Sequence, residues 1–117
     1  MSYKKYRNIV TEVDGIKFAS AAESRRYSEL RLLVRAGAIT DLTLQPRYEI
    51  IPKYINAKGR KVQAAYYVAD FNYYDTTEGE YVIEDVKRPQ TATAVYKLKK
   101  KLFEYRYPDK TIIEVDA

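Results

Sequence analysis

Four side chains stand out by type and spacing: Glu23, Asp70, Asp85 and Lys87. Asp85 and Lys87 make an Asp-x-Lys triplet, and strand alternation sets both on one face of an extended run. Residues 64–74 and 81–86 are aromatic and β-branched runs split by a polar turn that contains Gly79. Folding back between Thr77 and Glu78 puts Asp70 directly opposite Asp85. Facing Cβ atoms on antiparallel strands are roughly 4.5–5.5 Å apart, and like charges there repel. Such a pair calls for a cation. The plainer readings are a solvated edge residue for Asp70 and, for Asp85 with Lys87, a surface ion pair worth about 0–1 kcal/mol.

Glu23 has two readings. Ser20-x-x-Glu23 matches a capping box, in which the glutamate reaches back to the cap amide. Glu23, Tyr27, Leu30 and Val34 also lie on one helical stripe, so the carboxylate heads the face that should meet a sheet. A carboxylate buried there needs a partner or a metal. Glu84 competes with Asp85, because a one-residue slip of the hairpin would exchange them. Asp85 is favoured because it shares a face with Lys87.

The chain has no cysteine and no histidine. Thiol nucleophiles, zinc–thiolate sites, His–metal ligation and Ser-His-Asp chemistry are excluded. Carboxylates without His or Cys suit a hard divalent ion, Mg²⁺ or Mn²⁺. Such an ion activates water and offsets charge on a phosphodiester, with Lys87 placed to position or help deprotonate the attacking water. Phosphodiester hydrolysis without histidine is the chemistry these residues could do.

The elements that must position them follow from turns and caps. Residues 9–18 form a hairpin about Asp14-Gly15. Residues 20–36 form a helix with Ser20 as N-cap and Gly37 as stop. Residues 39–52 are extended, with a break at Gln45-Pro46; residues 56–60 are a turn leading into a strand over 61–74. A second helix spans 93–107, with Val95, Leu98, Leu102 and Tyr105 as its apolar stripe. Residues 111–115 are a last strand. The expectation is one domain over 1–117, of the α/β (α+β) class, with residues 1–8 a flexible basic arm.

At 117 residues, with 46% hydrophobic and 32% charged residues, the composition is that of a soluble globular protein. No apolar run approaches a membrane span and residues 1–8 lack a signal core, so a cytosolic protein is expected. The net charge of +5 suggests a polyanionic partner. Arg88, Lys97, Lys100 and Lys101 on the second helix side, and Lys17, Arg25 and Arg26 near Glu23, are candidate phosphate contacts. The alternative for the lysines is a solvated helix face. Gln45 is a candidate supporting contact behind the carboxylates.

Glu23 at a helix start, Asp70, and Asp85-Val86-Lys87 together resemble the PD-(D/E)xK nuclease superfamily. FASAAESRRYSEL, LQPRYEIIP, YYVADF, IEDVK and YKLKKKLFEYRYP are similar to an uncharacterised family of small phage proteins assigned to it. The resemblance implies a restriction-endonuclease-like core: a mixed central sheet with an antiparallel hairpin, flanked by two helices. It implies Glu23, Asp70 and Asp85 as metal ligands for Mg²⁺ or Mn²⁺ and Lys87 as the catalytic lysine. Ala69 stands where the superfamily's name has proline, a position often varied there. Size, charge and helix start are most similar to Holliday-junction resolvases, which implies a homodimer acting on branched DNA, for a phage protein in the host cytoplasm. The competing readings are a non-catalytic DNA-binding accessory on the same fold and a structural protein whose carboxylates are ion pairs.

Overall fold

The computed structural model describes residues 11–117. In chain order the elements are β1 (Thr11–Val13), β2 (Ile16–Phe18), α1 (Ala21–Arg35), β3 (Ile39–Leu44), β4 (Arg47–Ile51), β5 (Tyr54–Ile55) and β6 (Lys61–Val62). Then follow β7 (Ala65–Val68), β8 (Phe71–Asp75), β9 (Glu80–Val86), a short 3-10 turn (Pro89–Ala92), α2 (Ala94–Arg106) and β10 (Ile112–Val115). The expected arm at 1–8 lies outside the described residues.

Local chemistry sets the first elements. Asp14 and Gly15 both take positive φ, 54° and 76°, which matches the strand twist of a two-residue turn and closes the β1–β2 hairpin. Ser20 Oγ accepts the Glu23 amide at 3.2 Å and starts α1. Gly37, at φ 77°, ends it: the Gly37 and Ala38 amides donate to the Val34 and Leu33 carbonyls, each at 3.0 Å, the two bonds of a Schellman motif.

The central sheet has the order β10–β9–β8–β3. β8 and β9 pair antiparallel with Phe71 opposite Glu84, Tyr73 opposite Val82 and Asp75 opposite Glu80, the register read from the sequence. β10 returns through α2 to lie parallel to β9, so the sheet is mixed and the fold is α+β. Every residue of β9 from Val82 to Val86 is buried because both sheet faces are covered. On one face Phe71, Tyr73, Val82 and Val86 meet Tyr27 and Leu30 of α1. On the other, Ile83, Ile112 and Tyr67 meet Phe103 of α2.

Two departures from expectation bear on the site. The strand expected over 61–74 is broken into β6, β7 and β8. Pro46, between β3 and β4, has no amide to donate to the facing β7–β8 run, and opposite it the chain bends at Ala69–Asp70. The Gln45 amide donates to Asp70 O (2.9 Å) and the Ala69 amide to Pro46 O (3.1 Å), pinning both bends at one level. The second departure is in α2. Val95, Leu98 and Tyr105 are 65%, 57% and 87% exposed, while Phe103 is fully buried against Tyr48, Tyr67 and Tyr107. The wall that receives α2 is aromatic, so edge-to-face and tilted ring contacts select Phe103 and Tyr96 over the aliphatic stripe. Among the described residues, no helix is long and apolar enough to cross a membrane.

Candidate active site

The bend places Asp70 just before β8, with its side chain off the ladder. Its carboxylate accepts the Val86 amide at 2.7 Å and lies 3.3 Å from the Arg88 guanidinium. Glu23, in the first turn of α1, reaches the same guanidinium from the other side at 2.9 Å. Its second oxygen accepts the Ser20 hydroxyl at 3.5 Å. Half of the capping box therefore forms. Ser20 caps the Glu23 amide, but the glutamate turns inward, as its position on the apolar stripe required.

Glu23 and Asp70 thus converge on one cation although 47 residues separate them. They open onto a cleft of about 140 Å³, lined also by Lys17, Gln45, Phe18 and Leu44. Gln45 holds a positive φ of 50°, uncommon for a residue with a Cβ, and its amide supports Asp70 from behind.

Asp85 faces elsewhere. Its Oδ1 accepts the Asp70 amide at 3.1 Å, and its Oδ2 accepts the Tyr67 hydroxyl. The Tyr96 hydroxyl lies 3.1 Å from Asp85 Oδ2 and 3.1 Å from Glu114 Oε2, one proton between two carboxylates. The face-to-face Asp70–Asp85 pair expected from the register is therefore not formed. The register holds, but the bend turns Asp70 toward α1 while alternation sends Asp85 toward α2. Lys87 follows β9, exposed, with its amide donating to Val115 O at 2.7 Å. Its ammonium has no ion pair among the described residues.

Glu84, the competitor of Asp85, is a structural counter-ion. Its two oxygens take the Arg26 Nε and Nη2 at 2.8 and 2.6 Å, and one also takes the Tyr73 hydroxyl. The bidentate geometry holds a charge pair beneath α1 and raises the Arg26 pKa, chiefly through the hydrogen bond to Glu84. Arg26 is consequently committed inward, not displayed as a phosphate contact, and Arg88 is likewise held by Glu23 and Asp70. Of the other candidate cations, Lys17 lines the cleft and Arg25 is exposed and donates to Ala117 O at 2.9 Å. Lys97 and Lys101 are exposed on α2, and Lys100 lies 3.6 Å from Glu114.

Burial dominates the electrostatics of the site. Burial pushes the Asp70 carboxyl up to about 6; the Val86 amide and Arg88 oppose the rise, and Glu23 adds to it. Burial also raises Asp85, against the hydrogen bond from Tyr67. For Arg88 burial works against the charge, but Asp70 and Glu23 outweigh it and the pKa rises. The Arg88 Nε–H is buried without an acceptor among the described residues.

The donor set fits Mg²⁺ or Mn²⁺ in chemistry. Mg²⁺ is held by one or two carboxylates together with water and substrate phosphate, and Glu23 and Asp70 supply two buried carboxylates already gathered about a positive charge. Among the described residues, no three Asp or Glu side chains converge as a metal cluster. Asp85 is the candidate ligand left outside.

A family model described as protein of unknown function (DUF1064) matches residues 3–115. The chain belongs to that family. No curated protein and no solved structure gives a significant match.

Three parts of this DUF1064 site were missed in the sequence: Arg88 as the bridging cation, and Tyr67 and Tyr96 as the hydroxyls on Asp85. Tyr67 alternates with Ala65 and Ala69 toward α2, a signal that was present. Arg88 gave none, since its partners lie 65 and 18 residues upstream.

Proposed function

We propose that this chain is a Mg²⁺- or Mn²⁺-dependent endodeoxyribonuclease on a restriction-endonuclease-like core, of phage origin, hydrolysing phosphodiesters in branched DNA as Holliday-junction resolvases do. One observation carries the reading. Glu23 from a helix start and Asp70 from a strand break meet about one cation at the edge of a cleft that also presents Lys17 and Gln45. The element order supports it: helix, antiparallel strands, helix and parallel strand.

Glu23 and Asp70 would hold the metal. When bound, such an ion lowers the pKa of a coordinated water and neutralises charge on the phosphodiester. Arg88 must leave the carboxylates for this, and its unsatisfied Nε–H and guanidinium then suit a phosphate oxygen. Asp85 fixes the Asp70 backbone, and its role as a further ligand rests on the resemblance. Lys87 brings an ammonium with no ion pair among the described residues to the end of β9, outside the lining of the cleft, and its role toward the attacking water rests on the resemblance.

Arg88 bridging the carboxylates, with Asp85 turned to the tyrosines, favours a second reading: a DNA-binding accessory without turnover. Cleavage decides between them. Labelled four-way junction and matched linear duplex are incubated with Mg²⁺ or Mn²⁺ and wild type, Asp70→Asn or Lys87→Ala. Metal-dependent cutting by wild type, reduced at least 10²-fold in both variants, is expected. Junction binding with no cutting by any form would leave the accessory reading.

A further inference from the structure

β3–β4 and β7–β8 form one long hairpin, and beyond the bend at Asp70 it continues as a two-stranded ribbon through β5 and β6. The base of the ribbon packs Tyr48 and Tyr67 on α2. Its outer part is different. Among the described residues β5 and β6 pair only with each other, and Tyr54 and Ile55 are 51% and 68% exposed.

The charge is distributed unevenly. Residues 47–68 carry Arg47, Lys53, Lys58, Arg60 and Lys61 against a single acid, Glu49. Glu49 is paired with Arg106 at 3.2 Å. No carboxylate lies between Glu49 and Asp70, so this ribbon holds four of the five net positive charges of the chain. Lys53, Lys58, Arg60 and Lys61 are all exposed, and none has an ion pair among the described residues.

The tip is preformed. Asn56 Oδ1 accepts the Lys58 and Arg60 amides, both at 3.0 Å, and the Asn56 amide donates to Arg60 O at 2.9 Å. Gly59 at φ 77° completes the turn, its amide on Asn56 O at 2.9 Å. Little ordering entropy remains to be lost on binding. An open groove of about 430 Å³ runs beside it, lined by Lys53, Tyr54, Ile55, Lys61, Val62 and Gln63.

We infer that this ribbon is a DNA-binding arm that lies in a groove of the duplex next to the cleft, with Lys53, Lys58, Arg60 and Lys61 on its phosphates. A two-stranded ribbon fits the roughly 12 Å major groove. The outer part reaches roughly 15–20 Å at about 3.3 Å per residue, the length of some five base pairs. An acidic protein partner would also answer the charge, but the arm grows from the very bend that sets Asp70, so DNA held by one is delivered to the other. The inference rests on the nuclease reading of the cleft.

The test measures binding to a 30-base-pair duplex and a four-way junction by fluorescence anisotropy from 50 to 300 mM KCl, without divalent metal. Wild type is compared with Lys58→Ala/Arg60→Ala/Lys61→Ala and with the single Lys61→Ala. With about 0.9 of log–log salt slope per phosphate contact, the triple variant should lose about 2.7 of slope, and the single about 0.9. At 0.1 M salt the triple should bind on the order of 10²–10³-fold more weakly. A Lys58→Arg/Lys61→Arg protein should keep the wild-type slope. Far-UV circular dichroism checks the fold, and if the triple fails to fold the single variant decides. Wild-type slopes in the alanine variants would overturn the inference while leaving the nuclease intact. Failure of wild type to bind DNA at any salt would overturn both. Ribbon-dependent binding of poly-glutamate in preference to duplex would reassign the arm to an acidic protein partner.

Discussion

Replacing Arg88 with methionine removes the charge between Glu23 and Asp70 and keeps most of the side-chain volume. The guanidinium lies 2.9 Å from Glu23 and 3.3 Å from Asp70, with the Arg88 side chain 21% exposed. Removing one partner from a buried charge cluster costs about 3–5 kcal/mol, and the partial exposure here argues for the lower end, about 3 kcal/mol. That cost should depend on pH. The Asp70 carboxyl titrates near 6, so at pH 5 it is largely protonated and its ion pair is already weak. Without Arg88 the Asp70 pKa rises further, and a raised carboxyl pKa takes stability away as pH climbs through it. The variant should therefore lose about 3 kcal/mol at pH 8 and roughly half of that at pH 5. In urea, with a slope near 1.5 kcal/mol/M, the midpoint at pH 8 falls by about 2 M. A loss that is equal at the two pH values, or larger at pH 5, would show that Arg88 does not neutralise the Asp70 carboxylate.

Other outcomes follow from the same structure. For Asp70 itself the folded pKa is raised, so its contribution is intact below pH 4 and lost as pH passes about 6. Asp70→Asn escapes that loss, and in urea melts the wild type should weaken relative to it by up to about 3 kcal/mol between pH 4 and 7. Glu84→Gln leaves Arg26, half-buried, beside a neutral amide and should cost about 3 kcal/mol, whereas Glu29→Gln on the same arginine, exposed, should stay within about 0.5 kcal/mol. On α2, Phe103→Ala should cost about 3–5 kcal/mol and Leu98→Ala less than about 0.5, read from thermal or urea melts. The reverse order would restore the aliphatic stripe as the buried one.

How much was legible depended on whether the signal was local. The hairpin at Asp14-Gly15, the α1 caps at Ser20 and Gly37, and the β8–β9 register are set by residues within a few positions of one another, and all stand in the structure. The bend at Asp70 was not legible because the aromatic run over residues 64–74 reads as one strand, and the poor strand propensity of Asp70 alone does not break it. Its cause lies across the hairpin, at Pro46, whose missing amide interrupts the ladder. The α2 face failed for a related reason. Tyr96, Phe103 and Tyr107 are spaced on one side as regularly as Val95, Leu98, Leu102 and Tyr105 on the other. Periodicity offers two stripes, and only the aromatic wall of Tyr48 and Tyr67 chooses. Of the site, Glu23 turns inward as its place on the apolar stripe suggested, while its meeting with Asp70 was implied only by the resemblance. Asp85 does not join them, since alternation and the bend separate it from Asp70.

The proposed divalent-cation site at Glu23 and Asp70 is tested most directly by a calorimetric Mn²⁺ titration without DNA at pH 7.5. Wild type, Glu23→Gln, Asp70→Asn and Arg88→Met are compared. One site is expected in wild type, weakened at least tenfold by either carboxylate change and tightened in Arg88→Met, where the guanidinium no longer competes. Binding that is indifferent to Glu23 and Asp70, or no tightening in Arg88→Met, would contradict such a site and make the pair a structural clasp on Arg88.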